Sequence, residues 1–462
     1  MIGQPVINRR GVLKAAAAST LALPMAGFVR RASAQIAGAD MLLVSLADLH
    51  SPYARLAQMV AAIERVVEDN PDTPVRILIN GDVFERGNAV ALRSGGQIDL
   101  AAMARLNTVA PVIVNLGNHE TAILDDMADF VRAGREAGLT VLSNLIDART
   151  GALYADPAHI ITVGDRRVTI SALATDNIFT YRQPIRPTLS IPHPVEWAEA
   201  TWPGLFQDTD LPVVMSHTGV AHDKLLLPML PDHALMIGGH DHLRFEHRER
   251  AGLYFHPGSW GNFIEVVAVR FDDVGPSFER VDVPVAPDDI AEPAIAAQIN
   301  QALADHLAPE DQAVLGTMPE NLDLAESILF AVEALRNAAG TDAAFLGHTT
   351  FGTGLEAGPV TRYAFDAYIR FDGDIRAVEV SGEVLASILA RANQHQAESL
   401  DERTGDFVYA LPLTPEPGRT YTIAVNGWTA INQAAYLGTQ DLPFTEVPGL
   451  RLKALVADAL PG

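Results

Sequence analysis

The sequence predicts an α/β protein in two parts, and three observations predict it. From about Ile36 to Val283, short apolar runs alternate with amphipathic stretches, the pattern of strands and helices in packed layers. At about Pro284 the composition turns rich in proline and acid (VDVPVAPDDIAEPA), and a second globular segment follows. The 462 residues leave room for two or three domains at roughly 150 residues each.

In chain order, the first segment is an address rather than part of the fold. NRRGVLK (8–14) precedes an apolar run, AAAASTLALPMAGFV (15–29), and then RRASAQ with Ala32-Ser33-Ala34 in the A-x-A cleavage pattern. The run is short for a spanning helix. It resembles a twin-arginine signal with Arg9 and Arg10 as the pair, which implies the twin-arginine export machinery as a partner, cleavage after Ala34, and a periplasmic or otherwise exported protein. Residues 1–34 hold five Lys/Arg and no Asp/Glu, so cleavage takes the formal charge from −24 to −29.

MLLVSL (41–46), VRILIN (75–80), APVIVNL (110–116), RVTISAL (167–173), LPVVMS (211–216) and ALMIGG (234–239) read as buried strands, with helical patterns such as ARLAQMVAAIERVVED (54–69) between the first three. After residue 283 a linker and linker helix are expected over 284–307, the helix from AIAAQINQALADHL. A second domain is expected over 308–462, with a helix in LAESILFAVEALRNAAG and strands in AAFLG, IRAVEVSG and YTIAVNG. A charge of −24 argues against a nucleic-acid polymer or an anionic membrane as the main partner. The absence of cysteine excludes disulfides, thiolate metal sites and a cysteine nucleophile. No segment after the leader is apolar enough to span a bilayer.

Each buried strand of the first part ends in polar residues. LADLH supplies Asp48 and His50, INGDVFERGN supplies Asp82, NLGNHE supplies Asn118 and His119, VMSHTG supplies His217, and GGHDH supplies His240 and His242. In open α/β sheets the carboxyl ends of strands lie together. Alternate positions in D-x-H and H-x-H place two side chains on one side of an extended segment. Carboxylate, amide and imidazole donors without thiolate suit Mn, Zn, Fe or Co, and one aspartate can bridge two ions a few Å apart.

D-x-H, GD, GNHE, H and GHxH in this order resemble the calcineurin-like metallophosphoesterases. The stretch SHTGVAHDKLLLPMLPDHALMIGGHDH resembles their 5′-nucleotidase branch in particular. The resemblance implies a four-layer α/β/β/α sandwich over 35–283, followed by a smaller α/β 5′-nucleotidase-type substrate domain. It implies two divalent metal ions: one on Asp48, His50, Asp82 and His242, the other on Asp82, Asn118, His217 and His240. It implies metal-assisted hydrolysis of a phosphate ester, with His119 as acid or electrostatic partner for the leaving oxygen. The branch usually reads GNHEFD, whose last residue orients the histidine; here Ala122 stands at that place. Glu85 and Arg86, in GDVFERG, fall on the acid and arginine of the GDxxDRG motif of the phosphoprotein phosphatases. Glu85 is therefore the candidate to orient His119, with Asp125 as a weaker one.

From Asp342 to Gly382 the chain is similar, without a gap, to the 5′-nucleotidase C-terminal domain, whose pattern is near D-x-A-L-x-N-S-G-G-I-R followed by P-F-G-N. Phe371 falls on the phenylalanine that stacks on a base, and Trp428 or Tyr436 could close a clamp. The family's arginine is here Gly352, and its Asn-Ser-Gly-Gly is Gly347 to Thr350. Loss of one charge-assisted contact costs an anionic substrate roughly 1.5–3 kcal/mol. A phosphate ester other than a standard 5′-nucleotide is therefore expected, with His348 and Arg376 as polar candidates for the changed pocket. The alternatives are a sulfur-oxidation-type two-manganese hydrolase on the same scaffold, and a metal-binding module without catalysis.

Overall fold

The computed structural model describes residues 36–462; the expected export signal and its cleavage after Ala34 lie outside the described residues. The six expected strands form Met41–Ala47, Val75–Asn80, Val112–Asn115, Arg166–Ala174, Leu211–His217 and Leu235–Gly238. They are divided between two six-stranded sheets. In the first, 41–47, 75–80, 112–115 and Thr140–Leu142 run parallel, and Phe263–Phe271 and Pro276–Pro284 continue the sheet antiparallel. In the second, 166–174, 211–217, 235–238 and Gly252–Pro257 run parallel between two antiparallel edge strands, Ala158–Val163 and Arg244–Glu249.

The sheets pack face to face through Leu43, Leu78, Ile113, Ile170, Val213 and Ile237. Helices cover both outer faces, which gives four layers. Leu56–Glu68 lies on the first sheet and buries Leu56, Met59, Val60, Ile63 and Val66, one face at helical spacing. Pro194–Leu205 and Val220–Leu226 lie on the second sheet. Strand 41–47 is buried at every position because both its faces are covered, hence an unbroken apolar run.

The stretch that reads as a linker is held more tightly than its composition implies. Val281 to Pro284 finish an edge strand, and the helix Pro293–His306 buries Ile295, Ile299 and Ala302 in the core of the first helical layer. Beyond it stands a five-stranded sheet. Its order is Val408–Tyr409, Ala343–Gly347, Thr420–Asn426, Asp374–Ser381, Thr445–Arg451, and the helix Leu324–Ala339 packs against it. One apolar cluster runs from Trp202 and Tyr254 of the first part into Leu335, Leu346 and Phe365 of the second. Among the described residues no helix is long and apolar enough to cross a membrane.

Two buried asparagines fasten the sheets to each other. Asn80 Nδ2 donates to the carbonyls of Ser216 (2.9 Å) and Ile237 (3.0 Å). Asn115 Nδ2 meets Asn80 Oδ1 and the Leu173 carbonyl, both at 2.8 Å. Asn80→Ala would strand two buried carbonyls and Asn115, so a destabilisation of about 2–4 kcal/mol is expected, read as a lower denaturant midpoint with an unchanged slope.

Candidate metal centre

The parallel strands of both sheets deliver their carboxyl ends to one edge, and the chain turns sharply there. Asp48, His50, Asp82, His240 and His242 all have positive φ, between 50° and 78°. Left-handed backbone is uncommon for any residue with a Cβ and gathers at functional sites. Hydrogen bonds hold it: Asp48 N to the Gly81 carbonyl (3.2 Å), His50 N to the Asp82 carbonyl (2.9 Å), and Trp260 N to the Asp48 carbonyl (2.8 Å). Glycine is required beside them. A Cβ on Gly81 would lie 2.5 Å from His217 Nδ1, and one on Gly117 would lie 2.3 Å from Asp82 Oδ1.

The seven expected ligand residues come together. The ligand atoms of Asp48, His50 and His242 lie within 4.8 Å of one another, as do those of Asp82, His217 and His240. Asn118 Oδ1 is 3.0 Å from His240 Nδ1. His217 Nδ1 donates to the Asn80 carbonyl (2.8 Å), which turns Nε2 toward Asp82 Oδ1, 3.3 Å away. Nε2 of His50 and Nε2 of His242 face each other at 2.9 Å. Asp48 accepts from His240 N, and Asp82 Oδ1 accepts from His119 N at 2.7 Å.

The electrostatics are those of a centre short of positive charge. Burial pushes Asp48 up to about 7. Burial also acts to raise Asp82, but His217 and His119 outweigh it and hold that carboxyl well below the usual range. Burial pulls His217 down, but Asp82 and Asp48 outweigh it and take the imidazole up to about 10. A proton on His217 thus does in part what a cation between the carboxylates would do in full. His217 Nε2 has no hydrogen-bond partner among the described residues. Converging lone pairs, oxygen and imidazole donors and the absence of thiolate fit two divalent cations sharing Asp82.

The expected companions of His119 separate. His119 lies on the cavity wall, and burial lowers its pKa, leaving it neutral. Glu85 Oε2 is 3.9 Å from its Nδ1, outside hydrogen-bond range, and 3.5 Å from Nδ1 of His50. Glu85 instead pairs with Arg370, whose Nε and Nη2 each lie 2.8 Å from Oε2. Arg86 is exposed and donates to the Ala122 carbonyl, away from the cluster. Asp125 is exposed and pairs with Arg182. Two groups escape a reading of the strand ends. Glu120 is fully buried, accepts from Val83 N and is pushed up to about 8, mainly by burial. Arg370 comes from the second part of the chain, and its Nη2 stands 3.2 Å from His50 Nδ1 and 3.4 Å from His119 Nε2. The proline of the P-F-G-N pattern falls at Arg370, so alignment gave no sign of it.

A cavity of about 470 Å3 opens from Asp82, Asn118, His119 and His240 toward Phe371, Trp428 and Tyr436. Phe371 and Trp428 are about half exposed, at 49% and 46%. Tyr436 is buried, and its hydroxyl meets Trp428 Nε1 at 3.3 Å. His348 is not on the cavity wall. It stacks on Phe407, with its ring nitrogens facing the carbonyls of Phe407 (3.1 Å) and Asp241 (2.9 Å). Arg376 pairs with Asp374 at 2.8 Å and is also off the wall. At Gly352 a Cβ would lie 2.3 Å from Trp260 and 2.4 Å from the Ala367 carbonyl, so no side chain fits there.

The comparisons with known proteins agree with this architecture. The calcineurin-like phosphoesterase family model matches residues 41–244, and no curated protein sequence matches. Among solved structures, a 5′-nucleotidase precursor from Thermus thermophilus is similar at 19% identity, with a TM-score of 0.60 over 91% of this chain and 96% of its own. The 5′-nucleotidase of Candida albicans gives 14% and 0.59, over 92% and 98%. The sulfate thiohydrolase SoxB of Thermus thermophilus gives 14% and 0.65, over 91% and 94%. These identities establish a shared two-part fold. The calcineurin-like phosphoesterase match spans every one of the strand-end residues and supports a metal-dependent hydrolase of phosphoesters.

Proposed function

We propose an exported two-metal phosphoesterase of 5′-nucleotidase type that acts on a small phosphate ester other than a standard 5′-nucleotide. The observation that carries this reading is a single one: buried donors on left-handed backbone open onto a cavity that reaches two half-exposed aromatic rings. Residues 35–283 would carry the chemistry, 284–307 the connection, and 308–462 the contacts to the leaving group. Export follows the twin-arginine reading of residues 1–34.

Asp48, His50, Asp82 and His242 would hold one divalent ion, and Asp82, Asn118, His217 and His240 the other, with Mn, Zn or Fe all compatible with these donors. When bound, the ions supply Lewis-acid charge to the phosphoryl oxygens and to the attacking water. Glu85, 3.5 Å from His50 Nδ1, would favour the proton on that nitrogen and so leave Nε2 for an ion. His119, neutral and on the cavity wall, serves the leaving oxygen. A guanidinium can only donate, so Arg370, on the cavity wall, offers the phosphoryl group positive charge from the second part of the chain. Phe371 and Trp428 cover the organic part of the ester, and Tyr436 braces Trp428.

Two experiments test this. The chain from Gln35, loaded with Mn, is expected to release little phosphate from 5′-AMP while cleaving bis-p-nitrophenyl phosphate. Asp82→Ala is expected to abolish that cleavage and lower the bound metal; turnover of neither ester by the parent protein, or full turnover by Asp82→Ala, overturns the reading. Arg370→Ala is expected to lower kcat/KM by roughly tenfold to a hundredfold, the value of one charge-assisted contact. If Arg370 served only to neutralise Glu85, the pair Glu85→Gln with Arg370→Met would restore the rate; a direct role predicts no rescue.

A further inference from the structure

A second group of ligand-type side chains lies outside the centre described above. Asp176, on the loop after strand 166–174, His193, just before helix Pro194–Leu205, and His222, in helix Val220–Leu226, bring their ligand atoms within 4.8 Å of one another. The carboxylate is divided between the rings: Oδ2 is 3.9 Å from His193 Nε2, and Oδ1 is 3.8 Å from His222 Nε2.

Two features pre-set the imidazoles. Nδ1 of His222 faces the Thr218 carbonyl at 3.4 Å, so its proton belongs on Nδ1 and Nε2 presents a lone pair to Asp176. His193 sits between Pro192 and Pro194, which restrict the backbone on both sides. The rings meet edge to face at 5.3 Å. In a tetrahedral zinc site, bond lengths near 2.0–2.1 Å place donor atoms about 3.3–3.4 Å apart. The two measured separations exceed this by about half an ångström, which small side-chain rotations close.

We infer that Asp176, His193 and His222 form a third divalent-cation site, of zinc type. Two imidazoles and one carboxylate favour zinc over the hard ions magnesium and calcium, which take mostly oxygen. Three protein donors leave a fourth position for water, and all three residues are partly exposed, so the ion exchanges with solvent. The site adjoins the cavity through the chain. Asn177, Phe179 and Thr180, which follow Asp176, line the cavity wall, and the Thr180 carbonyl accepts from Asn118 Nδ2 at 3.4 Å. An ion here ties that wall to the beginnings of two helices on the outer face of the second sheet. Its role is to stiffen a wall of the substrate cavity, and binding there does not depend on which ester is cleaved.

The test is zinc content. The chain from Gln35 and its His193→Gln and His222→Gln variants are dialysed against the same micromolar free zinc, and bound metal is measured. Each variant is expected to hold one equivalent less than the parent, whatever number the main centre holds. Equal content in all three proteins overturns the inference. Amide exchange in 176–182 supplies a second readout: zinc slows it in the parent but not in the variants, and zinc protection that persists in both variants would also overturn it. Matching melting temperatures of the three metal-free proteins establish that the variants fold.

Discussion

Asp82 is the carboxylate on which three strand ends close. Its Oδ1 takes the His119 amide and faces His217, its Oδ2 faces His50, and its own carbonyl holds the His50 amide. Gly81 and Gly117 on either side leave no room for any other residue. A buried, uncompensated carboxylate costs several kcal/mol, so the chain around it must bring donors and positive charge to within a few ångströms. Strained backbone at five positions is the form that requirement takes. The sheets are held together just beneath by Asn80 and Asn115, each at the end of a strand, so the geometry of the centre and the pairing of the sheets are set by the same residues.

Much of this was legible because parallel strands buried on both faces announce themselves as unbroken apolar runs, and the residues that follow them share one edge. Asp48, His50, Asp82, Asn118, His217, His240 and His242 are local to those runs, so a reading of strand ends finds them together. What stayed hidden was long-range. Arg370 reaches Glu85 across 285 residues, and no local pattern connects them. Asn80 and Asn115 look like the polar ends of strands, since nothing in VRILIN or VIVNL reveals a carbonyl on another sheet. Alignment also gives position without direction. His348 sits where a substrate contact is expected, yet its ring turns inward to carbonyls and to Phe407. At 284–307 the helix is legible in AIAAQINQALADHL, but composition gives no sign that its apolar face is buried in the first helical layer.

The second part of the chain trades one arginine for another. Where the 5′-nucleotidase pattern has arginine, Gly352 lies flush against the Trp260 ring, and that ring also adjoins His50 at 5.4 Å. A cation is supplied instead by Arg370, one residue before Phe371, which brings it beside His50 of the strand-end cluster rather than farther along the cavity. The change moves positive charge toward the reacting group and away from the distal end. On the proposed function, such a site would grip the phosphoryl group while demanding less of what is attached to it.

Net charge adds a last constraint. A chain of formal charge −24 repels an anion that comes within about a Debye length of its surface, about 8–10 Å in physiological salt, and salt screens the repulsion beyond that. Within the cavity, Asp82 contributes negative charge on the wall as well, and Arg370 is already paired with Glu85. Without cations the centre is therefore hostile to a phosphate ester. Two divalent cations held by these residues would reverse the local sign and offer the phosphoryl oxygens positive charge that the acidic surface does not. Metal loading and substrate affinity would for this reason be one property of the centre: the residues proposed to take up the ions are the same ones whose charge would otherwise turn the substrate away.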